Sequence, residues 1–174
     1  MPLDTPRLLL CYSQDKRRHS TGFAGDRISG KERESDGEAC WIIYHKDNPL
    51  EQIGSISLFE FTPIDAKLAS AMLAYTLSET YRGKGYMTEA LSEVLRFAFE
   101  KMSLQRIEAR IRITNDASRS VIQRMGFKNH GCVRQGKWAL GDNSGIQIVE
   151  TEIWMLKKSD WEAHANGLLI TASL

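Results

Sequence analysis

The sequence predicts an α/β fold: a mixed, mostly antiparallel sheet of seven strands built around a central strand–helix–strand–helix unit. Three observations predict it. Residues 70–77 are an apolar, strand-like run that a glycine-containing turn joins to an amphipathic helix ending at Glu100. Residues 106–113 alternate polar and apolar, which is typical of a strand with one buried face. Residues 115–127 have the apolar spacing of a second helix.

The other strands are short, and turn-forming residues between them favour antiparallel pairing. We predict them at residues 3–11, 41–44, 52–61, 127–134 and 146–156. From Trp161 onward we expect a C-terminal tail. Neither an internal repeat nor a linker-like composition divides the chain, so residues 1–174 are expected to form a single domain whose core lies within 40–156.

The central helix begins directly after two glycines, Gly83 and Gly85, which are flanked by Arg82 and Lys84. The first turn of a helix has unpaired backbone N–H groups and the positive end of the helix dipole, and glycine lets an anion approach closely. This turn therefore predicts a phosphate-binding site. The helix itself has one apolar face, made of Met87, Ala90, Leu91, Val94, Leu95 and Ala98.

Two common nucleotide motifs do not fit this turn. A P-loop requires G-x-x-x-x-G-K-[ST], whereas here Lys84 is followed by Gly85. A Rossmann fingerprint requires a third small residue where Thr88 lies. The simplest alternative to an anion site is a structural turn between a strand and a surface helix.

Three segments resemble one protein family. Residues Thr80 to Gly85 resemble motif A, [Q/R]-x-x-G-x-[G/A], of the GCN5-related N-acetyltransferases (GNAT), with Thr80 in place of the usual Gln or Arg. Asn115 to Phe127 resemble motif B, in which Asn115 is a good N-cap and Gly126 a C-terminal stop. The opening Thr5-Pro6-Arg7-Leu8-Leu9-Leu10 resembles the start of the Rim-type branch, which includes the ribosomal-protein N-terminal acetyltransferases.

The resemblance implies a GNAT fold with acetyl-CoA as co-substrate and no metal. In this family backbone amides of the glycine turn hold the pyrophosphate, and backbone groups near the end of the fourth strand polarise the acetyl carbonyl. In the Rim-type branch the motif-B serine lies near the CoA sulfur, which makes Ser118 a candidate general acid or relay. The residues that the resemblance assigns to cofactor binding are Leu77, Arg82, Gly83, Lys84, Gly85, Tyr86, Met87, Asn115 and Ser118.

The general base is not evident. Relatives that acetylate lysine carry a glutamate where this chain has Ala71. We name Glu150 as a candidate for binding the amine or accepting its proton; the alternatives are Glu152, Glu60 and His130. A lysine with a pKa of about 10.4 costs roughly 4–5 kcal/mol to neutralise at pH 7, whereas an α-amine near 8 costs about 1.4 kcal/mol. A site without a strong base therefore favours an α-amine or another amine of low pKa.

The acceptor side is the least defined part of the sequence. In the resembled family the segment after the first strand carries two helices that form one wall of the acceptor site, whereas here residues 12–38 are a shortened, polar stretch. The leading hypothesis is acetyl transfer to a primary amine, such as a protein N-terminal α-amine, by direct transfer in a ternary complex. A polyamine or antibiotic acceptor, and a non-catalytic acyl-CoA-binding regulatory module, are the alternatives. Homodimers are frequent in the resembled family.

Composition is that of an ordinary globular protein. The net charge of +1 gives no general reason to expect a nucleic-acid or anionic-membrane partner. The three cysteines have no metal-ligand spacing, and no apolar run approaches the roughly 20 residues that a membrane span needs. The N-terminus does not resemble a signal peptide, so we expect a cytoplasmic protein.

Overall fold

The computed structural model describes residues 2–13, 38–62, 69–138 and 146–171, which form one eight-stranded sheet and three α-helices. The strands lie in the order β1-β2-β3-β4-β5-β6-β8-β7. They are β1 (Leu3–Asp4), β2 (Leu8–Ser13), β3 (Ala39–His45), β4 (Asn48–Phe59), β5 (Ser70–Leu77), β6 (Arg106–Arg112), β7 (Lys128–Trp138) and β8 (Ile146–Lys157). The helices are α1 (Tyr86–Glu100), α2 (Asp116–Arg124) and α3 (Lys158–Thr171).

Strand polarity follows the predicted pattern. β5 and β6 are parallel and α1 connects them, whereas all the other neighbouring strands pair antiparallel. A parallel pair needs a crossover, which α1 provides, while the antiparallel pairs need only turns or loops. The predicted mixed sheet with a central strand–helix–strand–helix unit is confirmed.

The strand count exceeds the prediction because of β1. Its two residues pair with β2 through Leu3↔Leu10 and Asp4↔Leu9, and so short a strand has no periodicity that could predict it. β2 also runs two residues past the predicted boundary at Cys11, because Tyr12 and Ser13 pair with β3. Most of the polar segment 12–38, namely residues 14–37, lies outside the described residues.

The predicted C-terminal tail is wrong: residues 158–171 form α3. No regular apolar spacing signals this helix in the sequence. Tertiary contacts hold it instead, because the Trp161 ring lies 5.3 Å from the Phe99 ring of α1. The ring Nε2 of His164 also lies 3.0 Å from the Arg124 carbonyl oxygen at the end of α2.

The core lies between one face of the sheet and the helices. The predicted apolar face of α1 is buried, together with Phe99. It packs with inward-facing side chains of the strands, among them the fully buried Trp41, Ile56 and Ile107. No helix in the described part of the chain is both long and apolar enough to cross a membrane.

Candidate active site

The centre of the site is an opening in the sheet between β5 and β6. Their pairing runs from Ser70↔Arg106 only as far as Leu73↔Ala109, although β5 continues to Leu77 and β6 to Arg112. β4 stays paired with β5 as far as Leu77. Residues 74–77 therefore keep one bonded edge, while their other edge has no strand partner among the described residues. Backbone groups on such an edge are available to a ligand.

The glycine turn lies just beyond this opening. One turn of 3-10 helix, Glu79–Tyr81, links β5 to the turn, and Gly85 is the N-cap of α1. Gly83 and Gly85 have φ angles of 73° and 80°, in the left-handed region that glycine adopts without strain. The first N–H of α1 to bond back within the helix is that of Glu89, to the Gly85 carbonyl at 3.0 Å. The preceding amides of α1 have no backbone partner in the described part of the chain, as an anion site requires.

The side chains of the turn have separate roles. Arg82 donates from Nε to the Leu77 carbonyl at 3.0 Å, which ties the turn to the end of β5. The Met87 side chain is buried in the core, so only its main chain can face a ligand. Tyr86 packs against His45, with ring centroids 5.1 Å apart. Lys84 Nζ is exposed and lies 5.7 Å from the Tyr81 ring centroid.

The connection between β1 and β2 clamps the first turn of α1. Glu89 accepts hydrogen bonds from Thr5 Oγ1 at 2.6 Å, from Arg7 N at 2.8 Å and from Arg7 Nε at 2.7 Å. The same guanidinium donates from Nη1 to the Lys84 carbonyl at 3.1 Å. Sequence reasoning noticed Thr5 and Arg7 only as a family resemblance and missed Glu89. The available signal was an acidic residue in the first turn of a helix that starts at a glycine.

This clamp shifts the pKa of Glu89. Partial burial alone would raise the pKa of the carboxyl, but the hydrogen bonds and charge supplied by Thr5 and Arg7 outweigh burial, and the pKa lies below its ordinary value. Glu89 is therefore charged at neutral pH and forms an ion pair with Arg7.

The first turn of α2 lies on the other side of the opening. Asn115 is its N-cap, as predicted, and its Oδ1 accepts a hydrogen bond from Ser118 N at 3.1 Å. Tyr75 of β5 donates its hydroxyl to the Ser118 carbonyl at 3.1 Å, so this bond joins the two sides of the opening. Burial raises the pKa of Tyr75 to about 12, which keeps it protonated as a donor. Ser118 is half-buried, and a hydrogen bond between its side chain and Tyr75 partly offsets the effect of burial on the Tyr75 pKa.

The carboxylates around the opening are paired with arginines. Glu150 bonds to Arg134. Glu152 lies 3.6 Å from Arg119 and accepts from Trp154 Nε1 at 2.9 Å. On the opposite face of the sheet Glu108 pairs with Arg110 at 3.2 Å.

The other positions considered for the general base do not supply a buried carboxylate. Ala71, at the position where lysine-acetylating relatives carry a glutamate, is buried, and Glu60 and His130 are exposed. His130 lies beside the β-bulge of β7. Sequence alone could not show the arginine partners, because each depends on strand register or on helix placement. A role for Glu150 with the amine stays a prediction.

Comparisons with known proteins identify the domain. Residues 10–128 match the family model described as an acetyltransferase (GNAT) domain. The chain is similar to the probable N-acetyltransferase YjcK of Bacillus subtilis (strain 168), with 39% identity over 83 residues. This match covers 48% of the chain and 45% of YjcK. It is also similar to the putative ribosomal N-acetyltransferase YdaF of the same organism, with 29% identity over 109 residues. This match covers 63% of the chain and 55% of YdaF. The chain thus spans about half the length of these curated relatives.

A solved structure shares the fold. Mycobacterium smegmatis RimJ in complex with CoA-disulfide superposes with a TM-score of 0.62 and 24% sequence identity, covering 78% of this chain and 60% of that chain.

The clamp makes a testable contribution to stability. Because the pKa of Glu89 is lower in the folded than in the unfolded protein, its contribution is complete above the unfolded value of about 4.3 and is lost as pH falls through the folded value. We expect Glu89→Gln to lower the free energy of unfolding by about 1–2 kcal/mol near neutral pH. This difference should shrink towards about pH 3. Urea unfolding at both pH values measures it.

The matched control is Glu93→Gln, which removes a carboxylate from the same helix and leaves the clamp intact. Equal, pH-independent losses in the two variants would contradict the assignment of the stabilisation to the Thr5–Arg7–Glu89 contacts.

Proposed function

The chain belongs to the GNAT acetyltransferase domain family, and on that premise we propose that it transfers an acetyl group from acetyl-CoA to a primary amine. The observation that carries this proposal is the position of the strand opening beside the glycine turn. Within the described part of the chain, residues 74–77 have backbone groups without a strand partner along one edge, and the start of α1 offers unpaired amides next to it. An acyl pantetheine arm and a pyrophosphate need these two kinds of partner, side by side. The solved RimJ structure that shares this fold holds CoA.

The residues present fit acetyl-CoA. The amides that follow Gly83 and Gly85 would hold the pyrophosphate, and the free edge that ends at Leu77 would hold the pantetheine and polarise the carbonyl. Acetyl-CoA supplies an activated thioester. Arg82 and Lys84 lie on the turn and add positive charge near the phosphates, while Tyr86 and Met87 contribute main-chain groups.

Ser118 is proposed to stabilise the leaving thiolate. Its hydroxyl lies in the first turn of α2, where the helix dipole favours negative charge. Asn115 and Tyr75 fix this turn, because one caps it and the other bonds to the Ser118 carbonyl. From this fixed turn, beside Tyr75, the hydroxyl would donate a hydrogen bond to the sulfur, and water would supply the proton.

The proposed acceptor is a peptide or protein N-terminal α-amine. Glu108, Glu150 and Glu152 each already have an arginine partner, so these carboxylates are poorly suited to bind a polycation or a lysine ammonium. An α-amine needs much less help, since a substantial fraction is neutral near pH 7.5. One of the relatives bears the name putative ribosomal N-acetyltransferase, which agrees with this class of acceptor.

The acceptor class can be tested by release of free CoA thiol across a panel of amines. We expect turnover with peptides that have a free N-terminus, even when they lack lysine. Turnover should be at least about tenfold lower with the same peptides once their N-terminus is blocked, even when the blocked peptide contains an added lysine. It should be equally low with spermidine. Binding of acetyl-CoA by calorimetry without turnover on any amine would instead support a non-catalytic binding module.

The glycine turn can be tested with Gly85→Val. A valine would be strained at φ 80°, and its side chain would occupy the place where an anion approaches the first amides of α1, so we expect acetyl-CoA affinity to fall at least about 100-fold. The control is Gly131→Val, which also places a side chain at a positive φ, in open space at the bulge of β7. Equal loss of affinity in both variants would point to general backbone strain.

Ser118→Ala tests the proposed hydrogen bond to the leaving thiolate. We expect kcat to fall about tenfold while the Kd for acetyl-CoA stays within about twofold. Ser120→Ala changes an exposed serine of the same helix and should leave both constants unaltered. Wild-type kcat in Ser118→Ala would make this serine structural only.

A further inference from the structure

We propose that Arg7 is a positioning residue for the donor substrate: it holds the glycine turn in its anion-binding shape and neutralises Glu89 next to it. This inference rests on the acetyl-CoA site proposed above. The contacts come from the opening Thr5-Pro6-Arg7 segment, which the proposed function does not otherwise use.

One guanidinium reaches both sides of the N-cap of α1. Arg7 Nε bonds to Glu89, four residues after Gly85, at 2.7 Å, and Nη1 bonds to the carbonyl of Lys84, one residue before it, at 3.1 Å. The guanidinium carbon lies 4.5 Å from the centre of the Tyr86 ring. The turn residues that precede and follow the N-cap are thereby held by a single planar group.

Arg7 is itself fixed to the sheet. Its backbone N–H donates to Glu89 at 2.8 Å, and its carbonyl accepts from Lys46 N at 3.0 Å. Thr5 Oγ1 donates to Glu89 and accepts from the N–H of Leu8, which is fully buried, at 3.0 Å. The clamp therefore ties the glycine turn to the short connection between β1 and β2, which is anchored where the buried Leu8 begins β2.

The charge of Arg7 matters as much as its shape. Glu89 lies on the first turn of α1, where the helix dipole stabilises a carboxylate. The same end of the helix must bind the pyrophosphate, which an unpaired carboxylate would repel. The ion pair between Arg7 and Glu89 cancels this charge, so the helix keeps its acidic residue without losing anion affinity.

The test is Arg7→Met, assayed with two donors. Acetyl-CoA carries the pyrophosphate, whereas S-acetylpantetheine ends before it. We expect the KM for acetyl-CoA to rise at least about tenfold with kcat within about twofold, and kcat/KM for S-acetylpantetheine to stay within about twofold. A merely structural role would lower kcat/KM for both donors together and reduce kcat as well; a lower melting temperature is expected in either case, because the ion pair with Glu89 is lost.

Two further variants separate shape from charge. Arg7→Met combined with Glu89→Gln removes the uncompensated carboxylate, so part of the acetyl-CoA affinity lost in Arg7→Met should return. Arg7→Lys keeps the charge but cannot make both hydrogen bonds, so its KM should lie between those of the wild type and Arg7→Met. This variant also keeps the test open if Arg7→Met does not fold.

The matched control is Arg96→Met, which breaks the ion pairs of Arg96 with Glu93 and Glu100 on the same helix. It should behave as wild type with both donors. The inference about Arg7 is wrong, and the proposed function stands, in either of two cases. In the first, Arg7→Met and Arg7→Lys are active and have the same KM for acetyl-CoA as the control. In the second, their kcat/KM falls equally for acetyl-CoA and S-acetylpantetheine. If the wild type neither binds acetyl-CoA nor turns it over, the proposed function and this inference both fail.

Discussion

The unequal pairing of β5 is the constraint on which the site depends. β4 holds β5 along its length to Leu77, but β6 holds it only to Leu73, so the sheet opens towards the carboxyl ends of its two parallel strands. The chain leaves each of these ends into a helix, and both helix N-termini therefore start at the same edge. The early end of the pairing between β5 and β6 thus places the free backbone edge, the glycine turn and the two helix N-termini close together.

Contacts across this opening preserve its shape. Tyr75 reaches from β5 to the Ser118 carbonyl of α2, and Arg82 bonds back to the Leu77 carbonyl. Arg7 and Glu89 add a third connection, from the turn before β2 to the start of α1. All three link residues of different elements, so the opening is held by its surroundings even though the strands no longer pair. An opening held in this way keeps its remaining backbone groups in fixed positions, which suits a site that binds a flexible, anionic substrate.

Charge pairing narrows the chemistry proposed for the site. Glu108, Glu150 and Glu152 each have an arginine partner. Carboxylates that already have an arginine partner are weak sites for a further cation, which agrees with an acceptor that is not a polycation. The buried Ala71 offers no replacement. The arginine partners of these carboxylates are thus the reason for proposing an N-terminal α-amine as the acceptor.

Local patterns in the sequence determined much of the central unit. The apolar spacing of α1, the two glycines before it, the bounds of β5 and the Asn115 cap all depend on residues within a few positions of each other, and the structure agrees with each. The tertiary structure alone decided where β5 and β6 separate, that Arg7 pairs with Glu89, that arginines neutralise the glutamates, and that residues 158–171 form a helix. These features arise from strand register and from packing between distant segments, and no local period or capping residue encodes them.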